Sequence, residues 1–86
     1  MKLPISIAAI LVAAVTWSSP GLAQAEFPTE QQAQAHCPND TVVWLNLPSG
    51  IYHFKGERWY GATRHGAYVC QREADKTGNR ATRNGE

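Results

Sequence analysis

The stretch that decides the fold runs from residue 41 to residue 54 and reads TVVWLNLPSGIYHF. Its first part, TVVWLN, is rich in β-branched and aromatic residues and has the length of a strand. LPSG then places Pro and Gly at turn positions, and IYHF resumes the strand pattern. The stretch therefore predicts a β-hairpin.

The first strand of this hairpin is apolar on both faces. Alternation places Val43 and Leu45 on one face, and Val42 and Trp44 on the other. A strand that is buried on both faces lies inside a sheet rather than at its edge. We therefore expect it to be central.

Two further elements follow the hairpin. AYVC at residues 67–70 predicts a third strand, and QREADKT at 71–77 consists largely of helix formers and is followed by Gly78, a typical helix stop. The predicted fold class is α+β, a small antiparallel sheet of hairpin and third strand with one short C-terminal helix. One such domain accounts for residues 37–83.

Residues 1–25 predict a cleaved signal peptide. Lys2 provides a positive start, residues 5–15 are almost entirely apolar, and AQA at 23–25 provides small residues for cleavage. The apolar run is shorter than the roughly 20 residues that a membrane-spanning helix needs. We expect cleavage after Ala25, a periplasmic or secreted product, and no membrane anchor.

The flanks of the domain are polar. Residues 26–36 form a polar arm that could begin a short helix at Pro28 or remain flexible, and residues 84–86 form a loose tail. Lys2 is the only charged residue of the signal, so 7 basic and 7 acidic side chains remain after its removal. This balance gives no strong signal for nucleic acid, because nucleic-acid-binding domains usually carry a basic excess.

The cysteines predict a disulfide bond. A domain of about 60 residues builds only a marginal core, and an even number of cysteines in an exported chain indicates a bridge. A metal site that uses Cys37 and Cys70 with His36, His53 or His65 is the alternative. The chain has no Cys-x-x-Cys and no His-x-x-x-His, so we expect a Cys37–Cys70 bridge, no metal and no other cofactor.

The ring-rich stretch SGIYHFKGERWYG at residues 49–61 allows two interpretations. Its aromatic residues could simply build the core, since they bury the largest area per side chain. Alternatively, a loop surface could bind a glycan, a cell-wall fragment, a nucleic-acid base or a protein through stacking and hydrogen bonds. The candidate residues of that surface are His53, Arg58, Trp59, Tyr60, Arg64 and His65.

Catalysis is the less favoured hypothesis. His53 and Glu57 form the best available acid–base pair, but the chain contains no nucleophile elbow, no His-Glu-x-x-His and no phosphate loop. We therefore expect a non-enzymatic binding or interaction module.

Three segments, CPNDTVVWLN, SGIYHFKGERWYGATRHGAYVC and ADKTGNRA, together resemble a family of short, exported, uncharacterised proteins of Gram-negative bacteria. The resemblance covers residues 37–83 and implies export and a shared fold, without an activity to carry over.

A more distant similarity is to the zinc-binding module of the Ada alkylation-response protein. Tyr52-His53, Gly78 and Arg80 match its Tyr-His hairpin and its Gly-x-Arg helix end. The positions that hold zinc in that module are occupied here by Glu57, Thr82 and Gly85. The similarity implies a scaffold without thiolate ligands, and it makes a metal-binding or nucleic-acid-associated domain the alternative function.

Overall fold

The computed structural model describes residues 23–83, which form two helices and four short strands. In chain order these are α1 (Glu30–His36), β1 (Val42–Asn46), β2 (Ile51–His53), β3 (Gly66–Cys70), α2 (Gln71–Lys76) and β4 (Arg80–Ala81). The predicted α+β class is confirmed. The predicted tail at 84–86 and residues 1–22 of the predicted signal peptide lie outside the described residues.

The strands form one sheet in the order β3-β1-β2-β4. β1 is central and pairs antiparallel with both β2 and β3, as its two apolar faces predict. β4 adds a short parallel pairing with β2, joined by a hydrogen bond from the amide of Arg80 to the carbonyl of Gly50 (3.0 Å). This fourth strand was not expected, because two residues are too few to produce an alternating pattern.

Helix α1 lies within the segment predicted as a polar arm. The hydroxyl of Thr29 caps it by accepting a hydrogen bond from the amide of Gln32 (3.1 Å), and Glu30 places an acidic side chain in its first turn. Both features stabilise the positive end of a helix. Ala33 turns inward and is completely buried, so this mostly polar helix packs through one small residue.

One face of the sheet forms the hydrophobic core with helix α2. Its buried residues are Val43, Leu45, Tyr52, Ala67, Val69 and Ala74. Burying a side chain such as Leu45 contributes about 1.5–3 kcal/mol. The hydroxyl of Tyr52 donates to Asp75 and also accepts a hydrogen bond from Gln71 (3.2 Å), which attaches α2 to the sheet.

The opposite face carries a row of rings across three strands. Trp44 on β1 pairs with His53 on β2 and with Tyr68 on β3, and the rings of Trp44 and Tyr68 meet edge to face at 4.8 Å. Gly66 makes room for this indole, since a Cβ there would lie only 2.3 Å from Cζ2 of Trp44. A side chain at residue 66 would therefore displace Trp44.

The predicted Cys37–Cys70 disulfide is confirmed, with a sulfur–sulfur distance of 2.02 Å. It joins the end of α1 to the end of β3 across a sequence separation of 33 residues. Closing a loop of this length removes denatured-state entropy equivalent to about 3–4 kcal/mol.

Reduction of this bond is expected to remove most of the stability of the domain. Because the bridge accounts for about 3–4 kcal/mol, the midpoint of thermal unfolding should fall by about 15 °C or more. Circular dichroism melts with and without reductant measure the shift. A double variant, Cys37→Ala with Cys70→Ala, is the control in which reductant should have no effect, and coincident melts of the wild type would contradict the prediction.

Candidate functional site

A groove of about 490 Å³ lies between the ring-bearing face of the sheet and the loop of residues 54–65. Asn46, Ile51 and His53 contribute from the strands, and Pro48 and Ser49 from the turn that joins β1 to β2. The loop contributes Trp59, Ala62, Thr63, Arg64 and His65. Four of the six predicted surface residues therefore line one groove, namely His53, Trp59, Arg64 and His65.

The first half of the loop is folded into consecutive tight turns. The amide of Glu57 donates to the carbonyl of Phe54 (2.9 Å), and the amide of Ala62 donates to the carbonyl of Trp59 (2.9 Å). Gly56, with φ of 98°, takes a backbone conformation that side chains disfavour. These turns bring Trp59 back over the sheet.

The second half of the loop is attached to β1. The indole Nε1 of Trp44 donates to the hydroxyl of Thr63 (2.8 Å), and the amide of Leu47 donates to the carbonyl of His65 (2.9 Å). Both contacts join the loop wall to the central strand or its end. The groove is therefore formed before any ligand arrives.

His53 is the buried polar residue of the groove. Its side chain is on the sheet, the residue is 3% exposed, and its Nδ1 is buried without a hydrogen-bond partner among residues 23–83. A buried polar atom that lacks a partner costs about 1–3 kcal/mol. Because Nδ1 has almost no solvent-accessible surface, a ligand in the groove can reach His53 only through the rest of the ring.

Cationic and ionisable side chains lie in and beside the groove. Arg64 and His65 line it and are exposed, and the guanidinium of Arg58 lies 4.8 Å from the ring centroid of Trp59. Within the described part of the chain, none of these three cationic or ionisable side chains has a carboxylate within ion-pair distance. The groove lining itself contains no Asp or Glu.

Tyr60, the remaining predicted surface residue, has a structural position instead. Its hydroxyl donates to Glu30 on α1 (2.9 Å), and its ring lies 5.5 Å from that of Tyr68. Lys55 also binds the Glu30 carboxylate (2.9 Å).

Burial, followed by the hydrogen bond to Glu30, raises the pKa of Tyr60 well above its ordinary range. Hydrogen bonds from Lys55 and then Tyr60 lower the pKa of Glu30.

The carboxylate of Glu57 is occupied by the loop itself. It accepts a hydrogen bond from the amide of Phe54 (2.7 Å), and no hydrogen bond between Glu57 and His53 occurs in the described region. The acid–base pair considered from the sequence is therefore not assembled. The Glu57 carboxylate instead closes a turn of the loop.

Two groups of potential metal ligands lie near the disulfide. One contains His36, Cys70 and Glu73, and the other contains Cys37, Asp40 and Cys70. Each group depends on a sulfur of the bridge, and a bridged sulfur cannot supply the thiolate that zinc prefers. His53 and His65 belong to neither group, so the groove and these sulfurs are separate features.

Asn46, Ile51 and Thr63 are groove residues that the sequence analysis missed. Strand alternation places Ile51 and His53 on one face, but only the pairing of Asn46 with Ile51 and Trp44 with His53 brings Asn46 beside them. Thr63 is recognisable only from its hydrogen bond with Trp44.

Comparison of the chain with protein-family models, curated proteins and solved structures found no match. The resemblances noted from the sequence therefore stay predictions. Between residues 23 and 83, no helix has the length and apolar character needed to cross a membrane.

The contact between Tyr60 and Glu30 predicts a loss of stability at alkaline pH. Because the folded protein holds the phenol proton more tightly than the unfolded chain, the contribution is complete below the ordinary pKa of 10.0 and is lost as pH rises above it. Tyr60→Phe should lower the free energy of unfolding by about 1 kcal/mol at neutral pH. Between about pH 9 and 11, the free energy of unfolding should then fall less in the variant than in the wild type.

Urea denaturation at neutral pH and across the range from about pH 9 to 11 measures these effects. Tyr68→Phe is the matched control, because the Tyr68 hydroxyl donates no hydrogen bond within the described region. If Tyr60→Phe and the wild type lose stability in parallel at alkaline pH, the contact with Glu30 does not have the assigned effect.

Proposed function

We propose that this protein is a non-enzymatic binding module of the periplasm or extracellular space, and that it binds a small glycan-type ligand in the groove. The observation that carries the proposal is the side chain of His53, which lines the groove and makes no hydrogen bond within the described residues. A ligand hydroxyl can bind the ring nitrogen that is not fully buried, Nε2, whether or not that nitrogen carries the proton.

The shape of the groove supports a ligand of this size. Its volume of about 490 Å³ falls within the roughly 300–1,000 Å³ typical of small-molecule sites. Trp59 is half-buried and presents an indole to the groove. Sugar rings have an apolar face that packs on aromatic rings, while their hydroxyls reach polar groups at the edge.

The surroundings of His53 support binding rather than catalysis. An acid–base pair needs a second titratable group beside His53. Glu57, the partner considered from the sequence, is occupied by the amide of Phe54. The groove lining contains no carboxylate that could complete an acid–base pair with His53.

Trp59→Ala is expected to abolish ligand binding at a modest cost in stability. Trp59 is only half-buried, whereas Trp44 is 9% exposed, so its truncation should cost less than the about 3–5 kcal/mol expected for a buried tryptophan. Binding is measured by ¹⁵N NMR titration with galactose, N-acetylglucosamine and galacturonic acid. Perturbed signals should map to His53 and to residues 62–65.

Leu47→Ala provides the control for this experiment. Leu47 is an exposed large apolar side chain (40%) outside the groove lining, so this variant should retain binding. Shifts that map away from the groove, or no shifts with any of the three sugars, would contradict the proposed function.

The disulfide indicates an oxidising, extracellular-type environment, because cytosolic proteins rarely keep such a bond. We propose that a cleaved signal peptide delivers the chain there. The predicted cut after Ala25 falls next to contacts with the domain. The amide of Ala25 donates to Glu73 (3.0 Å), and the side chain of Gln24 accepts hydrogen bonds from Thr77 and Asn79.

Intact mass spectrometry of protein isolated from an exporting cell tests this processing. The expected mass corresponds to a chain that begins at Glu26 and lacks two thiol hydrogens. A mass that begins at Gln24 would move the cut to Ala23 and preserve the contacts of Gln24 and Ala25. An uncut chain with two free thiols would contradict export.

A further inference from the structure

We infer that the ligand of the groove is an acidic sugar whose carboxylate binds Arg64. This inference rests on the proposed function and assigns a chemical class to the ligand. Its basis is the combination of an uncompensated cation, an aromatic ring and several unused hydrogen-bonding groups within one groove.

The groove wall carries a cation without a carboxylate partner. Arg64 lines the groove, whereas Arg58 lies outside the lining, over the ring of Trp59. The close contacts between basic and acidic side chains within residues 23–83 are His36–Glu73, Lys55–Glu30 and Arg72–Asp40, so none of them neutralises Arg64 or Arg58. A concave site with one sign of charge attracts ligands of the opposite sign.

Several polar groups of the groove lining remain unused in the described structure. The side-chain amide of Asn46 makes no hydrogen bond in the described region, and the hydroxyl of Thr63 accepts from Trp44 but keeps its own proton to donate. With His53, these groups can contact several ring hydroxyls. The lining thus combines groups for hydroxyls with a guanidinium for an anion.

One carboxylate fits the groove better than a phosphate. A single guanidinium, that of Arg64, lines it, and a guanidinium pairs with one carboxylate through two parallel hydrogen bonds. A phosphate carries up to about two negative charges at neutral pH. Arg58 is already placed over the Trp59 ring and does not line the groove.

The test compares digalacturonic acid with its dimethyl ester, which has the same rings without the negative charge. Isothermal titration calorimetry on the oxidised protein should show at least about tenfold tighter binding of the acid, the factor expected for one charge-assisted hydrogen bond. Arg64→Gln should reduce the ratio of the two affinities to about one, chiefly by weakening the binding of the acid. A circular dichroism melt that matches that of the wild type shows that the variant is folded.

Lys76→Gln is the matched control, because it removes the same charge from an exposed position on α2 that does not line this groove. It should preserve the preference for the acid. Equal binding of acid and ester by the wild type would overturn the charge assignment and leave the proposed function in place.

Tighter binding of galactose 6-phosphate than of galacturonic acid would overturn the inference that the anionic group of the ligand is a carboxylate and would favour a phosphate. Binding of N-acetylglucosamine in the groove without binding of either uronic acid would overturn the inference alone. If none of these sugars perturbs the groove, both the inference and the proposed function fail.

Discussion

The Cys37–Cys70 bond is the constraint on which the rest of the structure depends. It fixes the end of α1 against the last residue of β3. The first residue of α1, Glu30, then binds both Tyr60 and Lys55 from the long loop. Through these contacts, a covalent bond outside the groove lining helps to fix where the loop lies over the sheet. A domain with so small a core needs such a bond, because side-chain burial alone stabilises it only marginally.

Trp44 provides the second support of the loop. Its indole lies over Gly66, where no side chain obstructs it, and donates to Thr63. The loop is therefore held from α1 at Tyr60 and from the central strand at Thr63. A wall that is ordered in the free protein loses little conformational freedom when a ligand binds, and this favours affinity. The aromatic stretch therefore has both of the roles considered from the sequence. Tyr60 packs against the domain, and Trp59 lines the groove.

The buried position of His53 costs free energy, and it also places the side chain in the groove lining. Its position opposite Trp44 in the register buries the imidazole, and Nδ1 is left without a partner among the described residues. Small domains rarely keep such a cost where an apolar residue would pack as well. The His53 side chain makes no hydrogen bond within the described residues, and the Arg64 guanidinium has no carboxylate partner there, so the groove offers unused polar groups to a ligand.

The sequence by itself determined the hairpin, the third strand, the C-terminal helix and the disulfide, because each follows from a local pattern or from the pairing of two cysteines. Four groove residues, His53, Trp59, Arg64 and His65, were also recognisable from the sequence. Only the tertiary structure decided that β4 pairs with β2 and that the Glu57 carboxylate binds the amide of Phe54. It also decided that Tyr60 binds Glu30 while Trp59 lines the groove. It also brought Asn46 and Thr63 into the groove. These outcomes depend on contacts between distant residues, such as Tyr60 with Glu30 at a separation of 30, and no local pattern encodes which distant groups will meet.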